Sequence, residues 1–221
     1  MGGNLAAGCV VSPAYHDVRF TYEPARAAVW SAICRYLQPL VRQEGALLEL
    51  GAGYGDFSRF IQAKEKWALD LNPALVGHWA GDVRPLIQSA LAPLPLETGS
   101  MATVFASNFF EHFSIAECRS ILSEARRVLK TGGRLIAVQP NFRLEPGRYF
   151  DDFTHITPFT DGGFADFVTS LGWRVVCREG RFLPFTMKSR LPKFGWMVQL
   201  YLALPYRPLA GQFLLVAELP E

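Results

Sequence analysis

Between an apolar run, Ala46 to Leu50, and a stretch with helical spacing from Gly55 to Ala63 (Phe57, Phe60, Ile61), the chain reads Gly51-Ala52-Gly53-Tyr54-Gly55. The run has the length of a buried strand, and the spacing after it is that of a helix with one apolar face. Glycines between the two let the backbone turn sharply and bring bare N–H groups close to a ligand at the new helix's N-terminus. The stretch therefore reads as a nucleotide-cofactor turn at the end of a first parallel strand. That commits the chain to an open α/β sheet whose ligands lie outside the carboxyl ends of its strands.

The spacing of the glycines narrows the cofactor. A dinucleotide fingerprint is G-x-G-x-x-G, but its third glycine would fall on Asp56, and here the third glycine is Gly55. Glu49 stands just ahead of the turn, and a carboxylate there repels a pyrophosphate but suits a cationic ligand. S-adenosylmethionine carries a sulfonium and an ammonium. A second strand, 66–71, ends in Asp70, 19 residues after Gly51, where a ribose-binding carboxylate belongs. Gly81-Asp82-Val83 offers a third acid, expected to accept from the adenine amino group.

Five segments in order, ELGAGYG, ALDLNP, GDV, FASNFFEHF and ARRVLKTGGRLIAVQPN, resemble the motifs of the class I S-adenosylmethionine-dependent methyltransferases. The likeness is strongest over residues 46 to 140 and is greatest to the small-molecule branch, which modifies quinones, glycans and other metabolites. It implies a Rossmann-like, seven-stranded, doubly wound sheet in a single domain spanning 1–221. The last strand would run antiparallel between the fifth and sixth. Residues 1–40 would form an arm and a lid helix. The 180–210 stretch is longer than the hairpin this join usually uses and reads as an insertion before the last strand. The resemblance also implies the cofactor contacts. Glu49, Gly51, Ala52, Gly53 and Gly55 would hold the methionine end, Asp70 and Leu71 the ribose side, and Asp82 and Val83 the adenine. Ser107 and Asn108 would lie by the methionine, and S-adenosylhomocysteine would be the product.

Local patterns place the other elements. A helix with Ala25, Val29, Ile33 and Leu37 at helical spacing begins near Pro24. A short strand is expected around 76–82, followed by a Pro- and Leu-rich connection over 85–99. A fourth strand spans Met101 to Ser107. Ser114 to Lys130 reads as a helix opened by a Ser114/Glu117 capping box and closed by a glycine cap at Gly132-Gly133. Further strands are expected over 134–139, 173–179 and 212–219, with a helix over 160–171.

Acceptor chemistry belongs after the fourth and fifth strands. Glu111 and His112 follow the fourth, at the acceptor mouth by resemblance. Asp151-Asp152-Phe153-Thr154-His155 follows the fifth, and a similar Asp-x-x-His with a Pro-aromatic pair occurs in sugar and natural-product relatives. The motif typical of amino-group methylation of bases is absent. Methyl transfer is an in-line displacement, so the enzyme mainly positions the acceptor and removes its proton. A histidine suits a hydroxyl acceptor. His155, oriented by Asp151 or Asp152, is the first candidate base and His112 with Glu111 the second; Tyr22, Arg26, Glu111 and Phe153 are candidate acceptor contacts. Asp151, Asp152 and His155 holding a divalent cation is the less favoured alternative.

Composition bounds the partners. Lys and Arg number 22 against 20 acids, a net charge of +2, which argues against a dedicated nucleic-acid binder. Cys9, Cys34, Cys118 and Cys177 are scattered with no C-x-x-C, as in a reduced, cytoplasmic protein. LAAGC near the start lacks the apolar stretch of a lipidation signal, and Ala6 breaks the myristoylation pattern. No apolar run approaches the ~18 residues of a membrane span. The 180–210 insertion mixes aromatics with Arg181, Lys188, Arg190, Lys193 and Arg207 and holds no acid, which suits an anionic acceptor, a membrane surface or a homodimer contact. A small-molecule or carrier-linked acceptor is expected. An RNA-directed methyltransferase and a non-catalytic cofactor-binding partner remain the alternatives.

Overall fold

The computed structural model describes residues 23, 25–184 and 194–220. Tyr15, His16 and Tyr22, together with Phe185, Lys188, Arg190 and Lys193, lie outside the described residues. The strands are β1 (Ala46–Leu50), β2 (Glu65–Asp70), β3 (Val83–Ile87), β4 (Met101–Ser107), β5 (Leu129–Pro140), β6 (Arg174–Glu179) and β7 (Gln212–Glu218). They form one seven-stranded sheet in the order β3-β2-β1-β4-β5-β7-β6. The pairs among β1 to β5 are parallel, and β7 runs antiparallel to both β5 and β6, as expected.

Central strands buried on both faces need apolar residues throughout, and β4 and β7 are buried along almost their whole length. The pleat sends alternate residues to opposite layers. Leu48, Val104, Leu135 and Leu215 meet α3 (Ile115–Val128) and α4 (Asp161–Ser170) through Ile121, Leu122, Phe164 and Val168. Leu47, Phe105, Ile136 and Val216 face the other way. There they meet α1 (Arg26–Leu37), the short α2 (Asp56–Phe60) and Leu202 of α5 (Gly195–Ala203). The Ser114/Glu117 capping box forms as its sequence predicts.

Three boundaries differ from expectation. The piece around 76–82 is a 3-10 turn, Pro73–His78, capped by Asn72, and the strand begins only at Val83. Pro85 obscures it in the sequence, yet β3 is an edge strand, where a missing N–H is tolerated. α2 stops at Phe60 because Ile61 turns extended and drops into the core. α3 stops at Val128, and Gly132 and Gly133 lie inside β5, where Leu219 hydrogen-bonds to both. A positive φ of 70° at Gly132 serves this kink as it would a helix cap, so the local sequence reads alike for both.

Two arginine clusters tie the layers. Arg207 is buried; it ion-pairs with Glu179 and donates to Leu202 O at 2.7 Å and to Tyr36 Oη at 3.0 Å. It fastens the insertion to α1 and β6, so it is committed internally and is not a surface grip for an acceptor. Glu218 of β7, buried, accepts from Arg134 (2.8 Å), Arg42 (2.9 Å) and Arg174 (2.6 Å). The Arg134 guanidinium, and then the other two, hold the Glu218 carboxyl below the usual carboxylate range. Its stabilising contribution is therefore present above that range and is lost as pH falls through the depressed pKa. Glu218→Gln is expected to cost about 1–3 kcal/mol in urea unfolding at pH 7, with the gap to wild type narrowing in acid. An unchanged midpoint at pH 7 would remove the cluster as a clamp.

Candidate active site

The glycine turn leaves β1 at the carboxyl edge of the sheet and is held from three sides. Gly51, Gly53 and Gly55 all have positive φ. A Cβ on Gly51 would stand 2.5 Å from the Phe109 ring, and one on Gly55 would stand 2.5 Å from Trp79, so neither position admits a side chain as packed. Trp79 also donates from Nε1 to Gly53 O at 2.8 Å. Below the turn, Asp70 accepts from Gly53 N (2.8 Å) and Asn72 N (2.9 Å). A carboxylate has about four lone-pair positions, so these bonds leave room for a ribose diol. Leu71, beside it, is 46 % exposed.

The acids around the turn have distinct surroundings. Glu49 accepts from the Ser58 hydroxyl and from Ser58 N (3.1 Å), linking β1 to α2. Burial pushes its pKa from 4.5 up to about 8, against the downward pull of the Ser58 hydrogen bonds. Asp56 is ion-paired to Arg26 at 2.7 Å, so the start of α1 is fastened over the turn. Arg26 also lies 5.8 Å from the Tyr54 ring centre. With Glu49 buried against Ser58 and Asp56 paired to Arg26, Asp70 is the acid that faces the turn, and the glycine cradle above it leaves space only for bare backbone.

Asp82 and Val83 do not join this group. Val83 pairs with Lys66 at the amino end of β2, four positions ahead of the Asp70–Ile87 pair, and Asp82 is ion-paired to Lys66 at 2.8 Å. With β3 beginning at Val83, Asp82 lies at the opposite edge. The residues that do emerge beside Asp70 are Ile87 and Gln88, whose N–H donates to Asp70 O at 3.2 Å. They follow a strand that the sequence had placed one segment too early.

Ser107 and Asn108 end β4 next to the turn. Asn108 has a φ of 47° and accepts from Gln212 Nε2 at 2.9 Å, which ties it to the start of β7. Buried Gln139, not singled out in the sequence, accepts from Phe109 N (3.3 Å) and Phe110 N (3.2 Å) and so shapes the segment that carries Glu111 and His112. The loop after β5 is stitched onto that segment. Ile156 N and Thr157 N donate to Glu111 O at 2.7 and 3.1 Å, and Thr157 Oγ1 donates to Phe113 O at 2.6 Å.

This stitching merges the two candidate bases. The His112 and His155 rings are 5.1 Å apart, and each Nε2 is 3.9 Å from Glu111 Oε1. Thr154 Oγ1 donates to Asp152 Oδ1 (2.6 Å), so it accepts from His112 Nδ1–H (2.9 Å), and the Nε2 edge of the ring is turned toward Glu111. Burial, then His155, pulls the His112 pKa down to about 4. Burial pushes Glu111 up to about 8. Asp151 is not part of the cluster: its carboxylate is 65 % exposed and faces Arg148. Phe153 stands out at the loop tip, 77 % exposed. Among the described residues, the convergent group is thus Glu111, His112 and His155, not the Asp151-Asp152-His155 set.

Residues 48–137 match the methyltransferase domain family. Solved structures share the fold at low identity. A S-adenosylmethionine-dependent methyltransferase from Archaeoglobus fulgidus is 20% identical, with TM-score 0.66 and coverage of 87% of this chain and 94% of that one. A protein from Thermotoga maritima described as a possible histamine N-methyltransferase is 16% identical, with TM-score 0.65 and coverage of 88% and 91%. A geranyl diphosphate methyltransferase in complex with S-adenosylmethionine is 15% identical, with TM-score 0.63 and coverage of 86% and 85%. No curated protein sequence matches the chain. No helix among the described residues is long and apolar enough to cross a membrane.

Glu49 makes a pH-dependent contribution whose sign follows from its raised pKa. Its share of stability is present below its ordinary value of 4.5 and is lost as pH rises through about 8. Glu49→Gln, which cannot ionise, is expected to lose less stability than wild type between pH 6 and pH 9. Parallel urea-midpoint curves for the two proteins would contradict this.

Proposed function

We propose that the chain is a class I S-adenosylmethionine-dependent methyltransferase that methylates a hydroxyl of a small or carrier-linked acceptor at the Glu111–His112–His155 cluster. The cofactor supplies an electrophilic methyl on its sulfonium. The glycine turn and Asp70 would hold it, with Ser107 and Asn108 at its methionine end and Ile87 and Gln88 on the adenine side. Arg26, closing over the turn, would hold α1 as the lid.

The observation that carries this reading is the convergence of two imidazoles and a buried carboxyl just beyond Asn108. In-line displacement asks the protein to align an oxygen and accept its proton, and a neutral imidazole does the second. His155 Nε2 is the proposed acceptor of that proton, with Glu111 3.9 Å away facing the imidazolium that forms. Asp152 acts through Thr154, which orients His112. Phe153, exposed at the loop tip, would touch the acceptor body. A carrier-linked acceptor is supported by the exposed apolar stripe of α5, Trp196 and Leu200, and by Leu209, 81 % exposed three residues ahead of Gln212.

His155→Ala should lower turnover on hydroxyl acceptors about 10²–10⁴-fold, the usual worth of a positioned base. Affinity for S-adenosylhomocysteine should be unchanged by calorimetry. Turnover within a few-fold of wild type would remove His155 as the base.

A further inference from the structure

The three side chains of the cluster present a charge problem that a proton resolves only in part. Both Glu111 carboxyl oxygens are buried and make no hydrogen bond, and the side chain is 1 % exposed. His112 Nε2 stands 3.9 Å from Glu111 Oε1, on the ring edge away from Thr154. His155 Nε2 approaches the same carboxyl oxygen from the other side, at the same 3.9 Å. One ligand atom from each residue lies within 4.8 Å of the others. A buried carboxylate with no hydrogen-bond donor on either oxygen is costly unless something positive stands beside it.

We infer that Glu111, His112 and His155 form a binding site for one divalent transition cation of the zinc class. Two imidazoles and one carboxylate with a fourth position open is a donor set that suits Zn²⁺ and its neighbours better than Mg²⁺, which prefers oxygen. In a tetrahedral sphere with bonds of about 2.0–2.2 Å, ligand atoms stand roughly 3.3 Å apart. The present separations need only a modest inward rotation of the side chains. The outer partners are in place: His112 Nδ1–H to Thr154 Oγ1, then to Asp152, is the hydrogen-bonded support that orients a metal-bound imidazole. The carboxylate offsets one of the cation's two charges, and Asp152 lies close enough to act on the electrostatics of both Glu111 and His112.

Binding of the cation stands on this geometry alone. Its consequence for turnover rests on the proposed function, because a cation bound through His155 Nε2 takes the lone pair that the base needs. The loaded enzyme should therefore be inhibited, and removal of the cation by a chelator should restore turnover.

The test is calorimetric titration of the chelator-treated full chain with ZnCl₂, and separately with CoCl₂ followed by visible absorption. We expect one saturable Zn²⁺ per chain and the intense bands of four-coordinate Co²⁺. Glu111→Gln and His112→Ala should each weaken binding about 100-fold or more, and Thr154→Val about 10-fold, since outer partners of a metal site are worth about 10–100-fold. S-adenosylhomocysteine binding by the variants controls for folding. No saturable binding by wild type, or binding that survives both ligand substitutions, overturns the site and leaves a protonated Glu111 as the whole explanation. Binding without inhibition would keep the site and remove His155 as the base.

Discussion

A phenyl ring occupies the volume that a side chain at position 51 would fill. Phe109 packs against Gly51 and Trp79 against Gly55, and between them the backbone runs through left-handed conformations at Gly51, Gly53 and Gly55. Most residues pay a steric cost there, so glycine is what permits the turn. The rest of the site follows from it. β1 delivers the turn to the sheet's carboxyl edge, β2 brings Asp70 beneath it, and β4 brings Ser107 and Asn108 alongside. Arg26 and Asp56 then fasten α1 across the top.

The wall that carries Glu111, His112 and His155 is built differently. Its histidines come from two connections after two adjacent parallel strands, and no regular element joins them. Backbone hydrogen bonds from Ile156 and Thr157 to Glu111, with Tyr149 Oη donating to Thr157 O at 2.6 Å, weld the two connections into one wall. Buried Tyr149 fills the space behind His155, their rings 4.8 Å apart. The cofactor side thus depends on what the backbone can adopt. The histidine wall depends on long-range hydrogen bonds, so it can vary in chemistry without disturbing the turn.

That difference explains what the sequence disclosed. The first strand, the glycine turn, Asp70, the fourth strand and the Ser114 capping box are short-range patterns, and each was legible. β3 was not, because Pro85 and exposed Arg84 mask an edge strand. The slip carried Asp82 to the wrong edge of the sheet. His112 and His155 were named as rival bases because nothing local announces that Thr154 orients one beside the other. Gln139 and Trp79 read as ordinary strand and turn residues, and their roles appear only once Phe109 and Gly53 are in place. Arg207 looked like one more surface cation until Glu179, Tyr36 and Leu202 closed around it.

The central claim is that this edge of the sheet holds S-adenosylmethionine with Asp70 on the ribose. Calorimetric titration with S-adenosylhomocysteine, on wild type and on Asp70→Ala, tests it most directly. The account predicts micromolar-range binding to wild type and a loss of about 1–3 kcal/mol in the variant, the worth of a charge-assisted hydrogen bond. No binding to wild type, or equal binding by both proteins, would contradict it.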